Sequence, residues 1–408
     1  MRLPKALSAL ESSGFALLLF GQAISLQGTW IQSTAQRWLV LELSNAPWIL
    51  GVFGAIAGLP MLLFPYLAGW LSDRLNRLNL LLVAQVIIFI QALFFGIFVH
   101  NNIITIFWAC IFAFIMGTGM AFEVPSRQAL VFELVGAQNI TNALALHSTV
   151  FNLARFIGPA LAGILMHKGM LAACFFTKAA TAIIIILVLL LLKQKIKMGN
   201  KPKPSSKFHP PHIAFKNVLT FAKTNFIVGQ ILFTIILFSI LLLPYTILLP
   251  PFGRDILGLG AKEYGFLCAA NGFGALSGAI FVALFGHIGK RELWWNIGKF
   301  LFPTTIMLFA TSTSYFWALI LLTISGFTMV ITNTSAISLL QLSAKDNIRG
   351  QLMGLFTMSF MGLFPIGSII QGTIAQIAGV RFTLFATACL ALLIIAICQK
   401  SFQKSIVN

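Results

Sequence analysis

Polar side chains recur at three- and four-residue spacing in an otherwise apolar stretch near the N-terminus. Gln22, Ser25, Thr29, Ser33 and Gln36 therefore share one face of a helix about four turns long. Their amides and hydroxyls can bind water or a polar solute, whereas lipid leaves such groups unsatisfied. The pattern favours a stripe that faces an aqueous path, and packing inside a helical bundle is the alternative.

Arg155 is the basic residue best placed to meet an anionic group. It shares a helix face with Ser148 and Asn152, at i−7 and i−3. A charge within an apolar stretch is costly unless it faces a cavity or a partner. We therefore expect Arg155 and Asn152 to line a substrate cavity, with hydrogen bonds from Arg155 to helix carbonyls as the alternative. Three further apolar stretches contribute the remaining cavity candidates, which are Tyr245 (a predicted hinge beside Pro244), Asn271 and Asn333.

Groups that could carry a proton are few. The nine Asp and Glu residues are scattered, and none occupies the middle of an apolar stretch. Glu123 and His147 are the candidates for proton coupling, since a carrier must titrate within the transport path. The alternatives are an ion pair of Glu123 with Arg127 or Asp73, and a packed, hydrogen-bonded His147.

Motifs for several other kinds of chemistry are missing from the sequence. It contains no phosphate-binding P-loop, no H-E-x-x-H and no G-x-S-x-G at a strand–helix turn. The five cysteines stand singly in apolar runs, without the spacing of a metal site or a disulfide framework. We expect a protein that is not an enzyme and has no cofactor and no metal. A lipid-modifying enzyme would need a catalytic acid–base cluster, and the scattered acids do not form one.

The composition predicts the elements that position these residues. Of the 408 residues, 59% are hydrophobic and 9% charged, with a mean hydropathy of +0.95. So little charge cannot cover a soluble globule, and the apolar runs are too long for barrel strands. We predict an all-α membrane protein of twelve transmembrane helices in two six-helix, pseudo-symmetric bundles. The predicted spans are 14–41, 46–71, 78–99, 103–122, 140–166, 170–192, 225–250, 262–287, 293–311, 315–340, 350–376 and 381–399.

The basic residues predict the orientation. With the N-terminus in the cytoplasm, 19 of the 27 Lys and Arg residues fall in cytoplasmic segments and 4 in external ones. This distribution explains the net charge of +18 without nucleic acid as a partner. It predicts a multi-pass protein of the plasma (inner) membrane with both termini cytoplasmic and no cleavable signal.

A basic, proline-rich segment divides the chain near its midpoint. It holds eight lysines and four prolines between residues 193 and 223. We predict an N-terminal bundle at 1–192, a cytoplasmic linker at 193–223 that could touch anionic lipid, and a C-terminal bundle at 224–408. The spans at 140–166 and 350–376 both carry Pro and Gly about two-thirds along, a faint internal repeat.

Two further features of the spans have a structural and a functional interpretation. Lys178 and Lys299 lie within predicted spans, and we expect them to extend their ammonium groups towards the membrane surface rather than bind substrate. Lys178 lies deep enough in its span for substrate binding to remain the alternative. Phe112, Phe114 and Phe122 either line an apolar wall or pack in the bundle.

The segment between the second and third spans reads Gly69-Trp-Leu-Ser-Asp73-Arg74-Leu-Asn-Arg77. It resembles the G-x-L-x-D-R-x-x-R loop of the major facilitator superfamily. The resemblance implies a conformational latch between the two halves, in which Asp73 bears on the start of the eleventh span. Gly69 would permit close helix approach, and Arg74, Arg77 and Arg127 would complete the latch. The alternative is a generic positive-inside loop.

A second stretch is more specific. Glu123-Val-Pro-Ser-Arg127-Gln-Ala is followed by Asn152-Leu-Ala-Arg155-Phe-Ile-Gly-Pro-Ala-Leu-Ala-Gly163, and the pair is similar to the P-x-R-Q-A loop and N-L-A-R-x-x-G-P-A-x-A-G helix of the enterobactin-exporter-like branch. That resemblance covers nearly the whole chain. The chain departs from it in two places. The second half keeps only an acid-free remnant of the aspartate loop, and Lys178 replaces a small polar residue.

The resemblance implies secondary transport by alternating access, with proton-driven export of a small amphipathic molecule. Because the predicted cavity is basic and lacks a central acid, an anionic substrate such as a siderophore ranks above a cationic drug. The partners we expect are the substrate, protons and the lipid bilayer. We expect the protein to be a monomer. The alternatives are multidrug efflux of hydrophobic compounds, import of a siderophore or nutrient, and a non-transporting receptor in the same fold.

Overall fold

The computed structural model of the chain describes residues 5–195, 220–222, 224–285, 291–344 and 346–407. Every regular element in these ranges is helical, which confirms the all-α prediction. The predicted linker at 193–223 lies almost entirely outside the described residues, so its boundaries stay a prediction.

The elements before the linker begin with a short 3₁₀ helix, Lys5–Glu11. Six helices follow, which are α1 (Ser13–Ser44), α2 (Pro47–Leu63), α3 (Pro65–Arg74), α4 (Arg77–His100), α5 (Ile106–His167) and α6 (Leu171–Lys195). Local signals explain several ends. The Asn76 side chain caps α4 by accepting from the backbone N–H of Leu78 and Asn79, and Thr105 caps α5.

The elements after the linker include two π-helical turns, Phe252–Ile256 and Met358–Gly362. The helices are α7 (Phe226–Leu241), α8 (Tyr245–Pro251), α9 (Ala261–Phe285), α10 (Arg291–Thr311), α11 (Tyr315–Ser343), α12 (Asp346–Thr357), α13 (Phe364–Ala378) and α14 (Val380–Val407). The predicted seventh span is broken just before Tyr245, where Pro244 supplies no backbone N–H to continue the helix.

Nine helices in the described residues are long and apolar enough to cross a membrane, and Pro47–Leu63 is a shorter apolar helix. One of the nine, α5, has 62 residues and is long enough for two spans, and Gly136 (φ 70°, ψ 174°) breaks its helical path. The elements are consistent with twelve spans, although that count stays a prediction. Large apolar side chains are exposed along the helices, for example Phe107 (67%), Leu187 (53%) and Ile377 (82%), as expected of surfaces that face lipid.

The structure changes the interpretation of two predicted loops. Residues Gly69 to Arg74 of the aspartate loop belong to helix α3. The segment from Glu123 to Ala129 is part of helix α5 rather than a loop. Ser126 is buried and donates to the Phe122 carbonyl at 2.8 Å, one turn earlier. Helix α5 therefore extends past the predicted end of the fourth span and carries Arg127 on a rigid element.

The described chain forms two compact units. The first comprises 1–44, 56–206 and 260–269 and has a core that includes Phe15, Leu81 and Leu189. Segment 260–269 is held there by Tyr264, which stacks on Trp38 with 5.3 Å between ring centroids.

The second unit comprises 45–55, 207–259 and 270–408. Its core includes Ile231, Trp295 and Leu340. Near the start of the unit, Arg254 donates to the Asn45 side chain at 2.7 Å.

Candidate functional site

The polar stripe of α1 is the centre of the candidate site in the first unit. Helix α1 packs against α5 and α6. Gln22, Ser25 and Gln36 are buried, and Thr29 and Ser33 are half-buried. Several of these polar groups accept hydrogen bonds from basic side chains.

The N-terminal end of the stripe holds Arg127. Its guanidinium donates to Gln22 Oε1 at 3.1 Å and lies 3.4 Å from Glu123 Oε1, one helical turn earlier on α5. Both members of this ion pair are largely buried, with side chains 11% and 13% exposed. The amide of Gln22 thus extends an Arg–Glu pair into the interior of the unit.

The next turn of the stripe holds Lys178. Its Nζ lies 3.2 Å from Ser25 Oγ, 3.0 Å from Thr29 Oγ1 and 3.4 Å from the Ser25 carbonyl. The residue is 1% exposed, and no described carboxylate lies within 4.0 Å of the ammonium. This is a buried cation whose partners are all neutral.

The expectation that Lys178 and Lys299 reach the membrane surface is wrong. Each is only 1% exposed, and Lys299 places its Nζ 5.6 Å from the centroid of the Phe300 ring. For Lys178 the reason lies at Gly28, because a Cβ there would lie 3.0 Å from the Lys178 Cα. The close approach of α1 and α6 directs the lysine along the polar stripe. The pairing of Ser25 with Thr29, four residues apart opposite a mid-span lysine, is the sequence signal that could have indicated it.

The predicted face of Arg155 contacts α1 through an aromatic ring. The guanidinium carbon lies 5.7 Å from the centroid of the Trp30 ring, which meets Phe151 edge-on at 5.6 Å. Asn152 is buried and donates to the Ser148 carbonyl at 2.9 Å. Asn152 thus bonds within its own helix, while Arg155 meets α1.

The C-terminal end of the stripe also accepts hydrogen bonds from a basic side chain, that of Arg37. Arg37 donates to the Ser33 carbonyl at 3.0 Å and to its hydroxyl at 3.4 Å. Beside it, the buried Gln32 donates to Gln91 of α4 at 3.1 Å. Four cations are therefore arranged along α1, and they are Arg37, Arg127, Arg155 and Lys178.

The remaining predicted cavity residues belong to the second unit. Tyr245 is buried, and Asn271 donates to the Leu322 carbonyl at 3.2 Å, a contact between α9 and α11. Asn333 is half-buried, and its Oδ1 has no hydrogen-bond partner among the described residues. A small cavity of about 30 Å³ near it is lined by Arg291, Trp294, Thr334, Ser335, Ser338, Phe281 and Val282.

The predicted latch residues are distributed over α3, α4 and α5. Arg77 forms an ion pair with Glu133 of α5. Arg74 is exposed at the end of α3, while the side chain of Asp73 lies outside the described residues. Among the described residues, no atom comes within 4 Å of a Cβ built on Gly69, and so no close helix contact is found there within that part of the chain.

The two candidates for proton coupling lie on α5. Glu123 is engaged with Arg127. His147 is half-buried, and its Nε2 has no hydrogen-bond partner among the described residues. Within the described part of the chain, no three His, Cys, Asp or Glu side chains group as metal ligands would.

Sequence comparison places the chain among known transporters. A family model described as "Transmembrane secretion effector", one of the major facilitator families, matches residues 5–405. The staphyloferrin A transporter of Staphylococcus aureus is 25% identical over 375 residues, which are 90% of this chain and 89% of that protein. Enterobactin exporter EntS of Salmonella typhi is 24% identical (88% and 84%), and macrolide efflux protein A of Streptococcus pyogenes is 22% identical (94% and 95%).

Comparison with solved structures gives the fold. The nucleoside transporter NupG superposes with a TM-score of 0.69 at 14% identity, covering 96% of this chain and 99% of that one. A bacterial homologue of the iron transporter ferroportin, in its inward-facing state, gives a TM-score of 0.69 at 15% identity (94% and 98%). These similarities confirm the predicted major facilitator fold.

Proposed function

Because the chain belongs to the transmembrane secretion effector family of the major facilitator superfamily, we propose that it is a proton-coupled exporter of a small anionic, amphipathic molecule. A polycarboxylate siderophore is the substrate class that we favour. The protein works by alternating access as a monomer in the bacterial inner membrane, with both termini in the cytoplasm. Its substrate cavity includes Gln22, Ser25, Thr29, Ser33, Asn152 and Arg155 from the first half and Tyr245, Asn271 and Asn333 from the second.

The observation that carries this proposal is the set of cations along α1. Arg37, Arg127, Arg155 and Lys178 all contact this helix. Within a low-dielectric site, cations attract an anion far more strongly than they would in water. A cationic substrate would need a buried carboxylate in the transport path. Glu123 is already paired with Arg127, so the basic lining favours an anion.

The names of the relatives are compatible with this substrate class. The relatives include a staphyloferrin A transporter and an enterobactin exporter, both named for siderophores. The proton gradient is the proposed energy source, since the sequence has no nucleotide-binding motif. Glu123 and His147 remain the proposed proton-coupling residues.

Efflux of a hydrophobic drug is the second candidate. It is favoured by an aromatic cluster in the first unit, where Phe64 lies 6.1 Å from Phe122 and 6.3 Å from Phe114 between ring centroids. All three rings are half-buried. One relative is named a macrolide efflux protein.

Transport in everted membrane vesicles with an acidic lumen tests the proposal. We expect the wild-type protein to accumulate a radiolabelled citrate-type siderophore in the lumen and to lose this uptake when the pH gradient is collapsed. Arg155→Gln should lower the uptake about tenfold, because a cation facing the anion is removed. Lys168→Gln, an exposed site after α5, is the matched control and should transport normally.

Each of the other outcomes identifies a different function. Strong ethidium efflux without siderophore flux would favour the drug exporter. Uptake only in right-side-out vesicles would indicate an importer. A wild type that moves none of these solutes, together with a Gln22→Ala/Arg155→Gln double variant whose flux does not differ from that of the wild type, would favour a receptor.

A further inference from the structure

We propose that Lys178 and Arg127, together with Glu123, form the subsite that recognises a carboxylate of the substrate. This inference rests on the proposed function and deepens it. In the resting arrangement Glu123 is the internal counter-ion of this subsite. A substrate carboxylate adds the negative charge that the two cations lack, and it competes with Glu123 for them.

The first argument is the burial of an ammonium without a carboxylate. Lys178 is 1% exposed, and its three neighbours within hydrogen-bond distance are the Ser25 hydroxyl, the Thr29 hydroxyl and the Ser25 carbonyl. Neutral oxygens repay less of the desolvation of a charge than a carboxylate does. A protein retains such a cation at a cost to stability, and costly buried polar groups concentrate at functional sites.

The second argument is that the hydrogen bonds of Lys178 are exchangeable. The contact to the Ser25 carbonyl is long, at 3.4 Å, and that carbonyl also accepts from the Thr29 hydroxyl at 3.1 Å. If the ammonium turns towards an anion, the Ser25 carbonyl keeps this partner. The half-buried Thr29 is the more exposed of the two hydroxyl partners, so we infer that a carboxylate approaches the ammonium from its side.

The third argument is that the two cations, one from α5 and one from α6, both contact the same face of α1. Gln22 holds Arg127, and Ser25 and Thr29 hold Lys178. Residues 22 and 25 are separated by about 4.5 Å along the helix axis. Glu123 lies 3.4 Å from Arg127 and is the one carboxylate among the described residues that pairs with either cation. Two cations with one carboxylate leave one positive charge for the substrate to neutralise.

Other charged groups on the helices that pack against α6 complete the surroundings. They are Arg37 and Glu42 on α1, Arg77 and His100 at the ends of α4, and Glu133, His147, Arg155 and His167 on α5. Of the acids among them, neither Glu42 nor Glu133 forms an ion pair with Lys178. The subsite therefore consists of Lys178, Arg127, Glu123 and their α1 acceptors.

Calorimetric binding of citrate to the purified full-length protein tests the inference, with trimethyl citrate as the uncharged probe. We expect the wild type to bind citrate more tightly than its ester. Lys178→Gln should weaken citrate binding at least about tenfold, because one of the two cations is lost. Glu123→Gln should strengthen it several-fold, because the internal competitor for the cations is neutralised. Lys193→Gln, an exposed lysine at the end of the same helix, should bind as the wild type does.

Thermal unfolding separates recognition from a structural role. Replacing Lys178 by Met or Gln removes a buried charge with no carboxylate partner, so the Tm should stay unchanged or rise while citrate binding falls. A fall in Tm with unchanged citrate affinity would overturn the inference, as would weaker binding in Glu123→Gln or equal affinity of the wild type for citrate and its ester. Siderophore flux that persists in Lys178→Gln would overturn this subsite and leave the proposed exporter intact.

Discussion

At the scale of single residues, Arg127 shows how one side chain joins two elements. It pairs with a carboxylate of its own helix and donates to an amide of α1. Breaking a buried pair by removing one partner leaves the other charge uncompensated, which is more damaging than removing both. The pair is therefore suited to a double-mutant cycle.

We expect Arg127→Gln alone to destabilise the protein by about 3 kcal/mol, since it strands Glu123 in a largely buried site. The double variant Arg127→Gln/Glu123→Gln should recover part of that loss, because no lone charge remains. Unfolding in a mild detergent, followed by intrinsic fluorescence, measures both values. The Glu123→Gln single variant completes the cycle, and additive effects of the two single changes in the double variant would show that the two side chains are not energetically coupled.

At the scale of elements, α1 and α5 account for most of the candidate site. Helix α1 supplies acceptors along one face, and α5 supplies Arg127 and Arg155 from either side of a break at Gly136. The backbone of Gly136 lies in a region that only glycine adopts without strain. Helix α5 therefore consists of two helical segments that join at a kink at Gly136.

Gly136→Ala should therefore cost about 1–3 kcal/mol of stability, although a Cβ there would meet no described atom within 4 Å. The penalty is conformational rather than steric. Gly354→Ala is the matched control, because it also has open space but lies within helix α12, where alanine is favoured over glycine. The Tm of the first variant should fall and that of the second should hold or rise. A similar Tm change in both would argue against backbone strain at Gly136.

At the scale of the whole molecule, each compact unit takes in a segment from beyond its main stretch of sequence. Residues 260–269 belong to the first unit, and residues 45–55 belong to the second. The aspartate loop is the feature whose proposed role concerns the entire transport cycle. Its neighbour Arg77 is paired with Glu133, which anchors the start of α4 to α5.

Asp73→Asn should reduce siderophore flux about tenfold or more while expression and Tm stay near those of the wild type, if the loop latches a transport state. The change is isosteric and removes only the charge. Asn79→Asp, an exposed position just inside α4, is a control for altered charge in this segment. Undiminished flux through Asp73→Asn in vesicles would remove the latch role.

The sequence by itself determined the helical membrane class, most helix positions and the family. Hydropathy suffices for the first two, because insertion into lipid depends on the composition of each segment. The aspartate loop and the Asn152–Gly163 segment carried the resemblance that the family match confirmed.

The tertiary structure decided which polar groups meet. Lys178 and Ser25 are 153 residues apart, and Arg127 and Gln22 are 105 apart. Periodicity assigns a residue to a face of its own helix, but the partner depends on how closely two helices approach. At Gly28 the approach of α1 and α6 is close enough to bury a lysine that was expected to reach the membrane surface. The stripe of α1 is therefore predictable from its spacing, while the cations along it depend on helix packing.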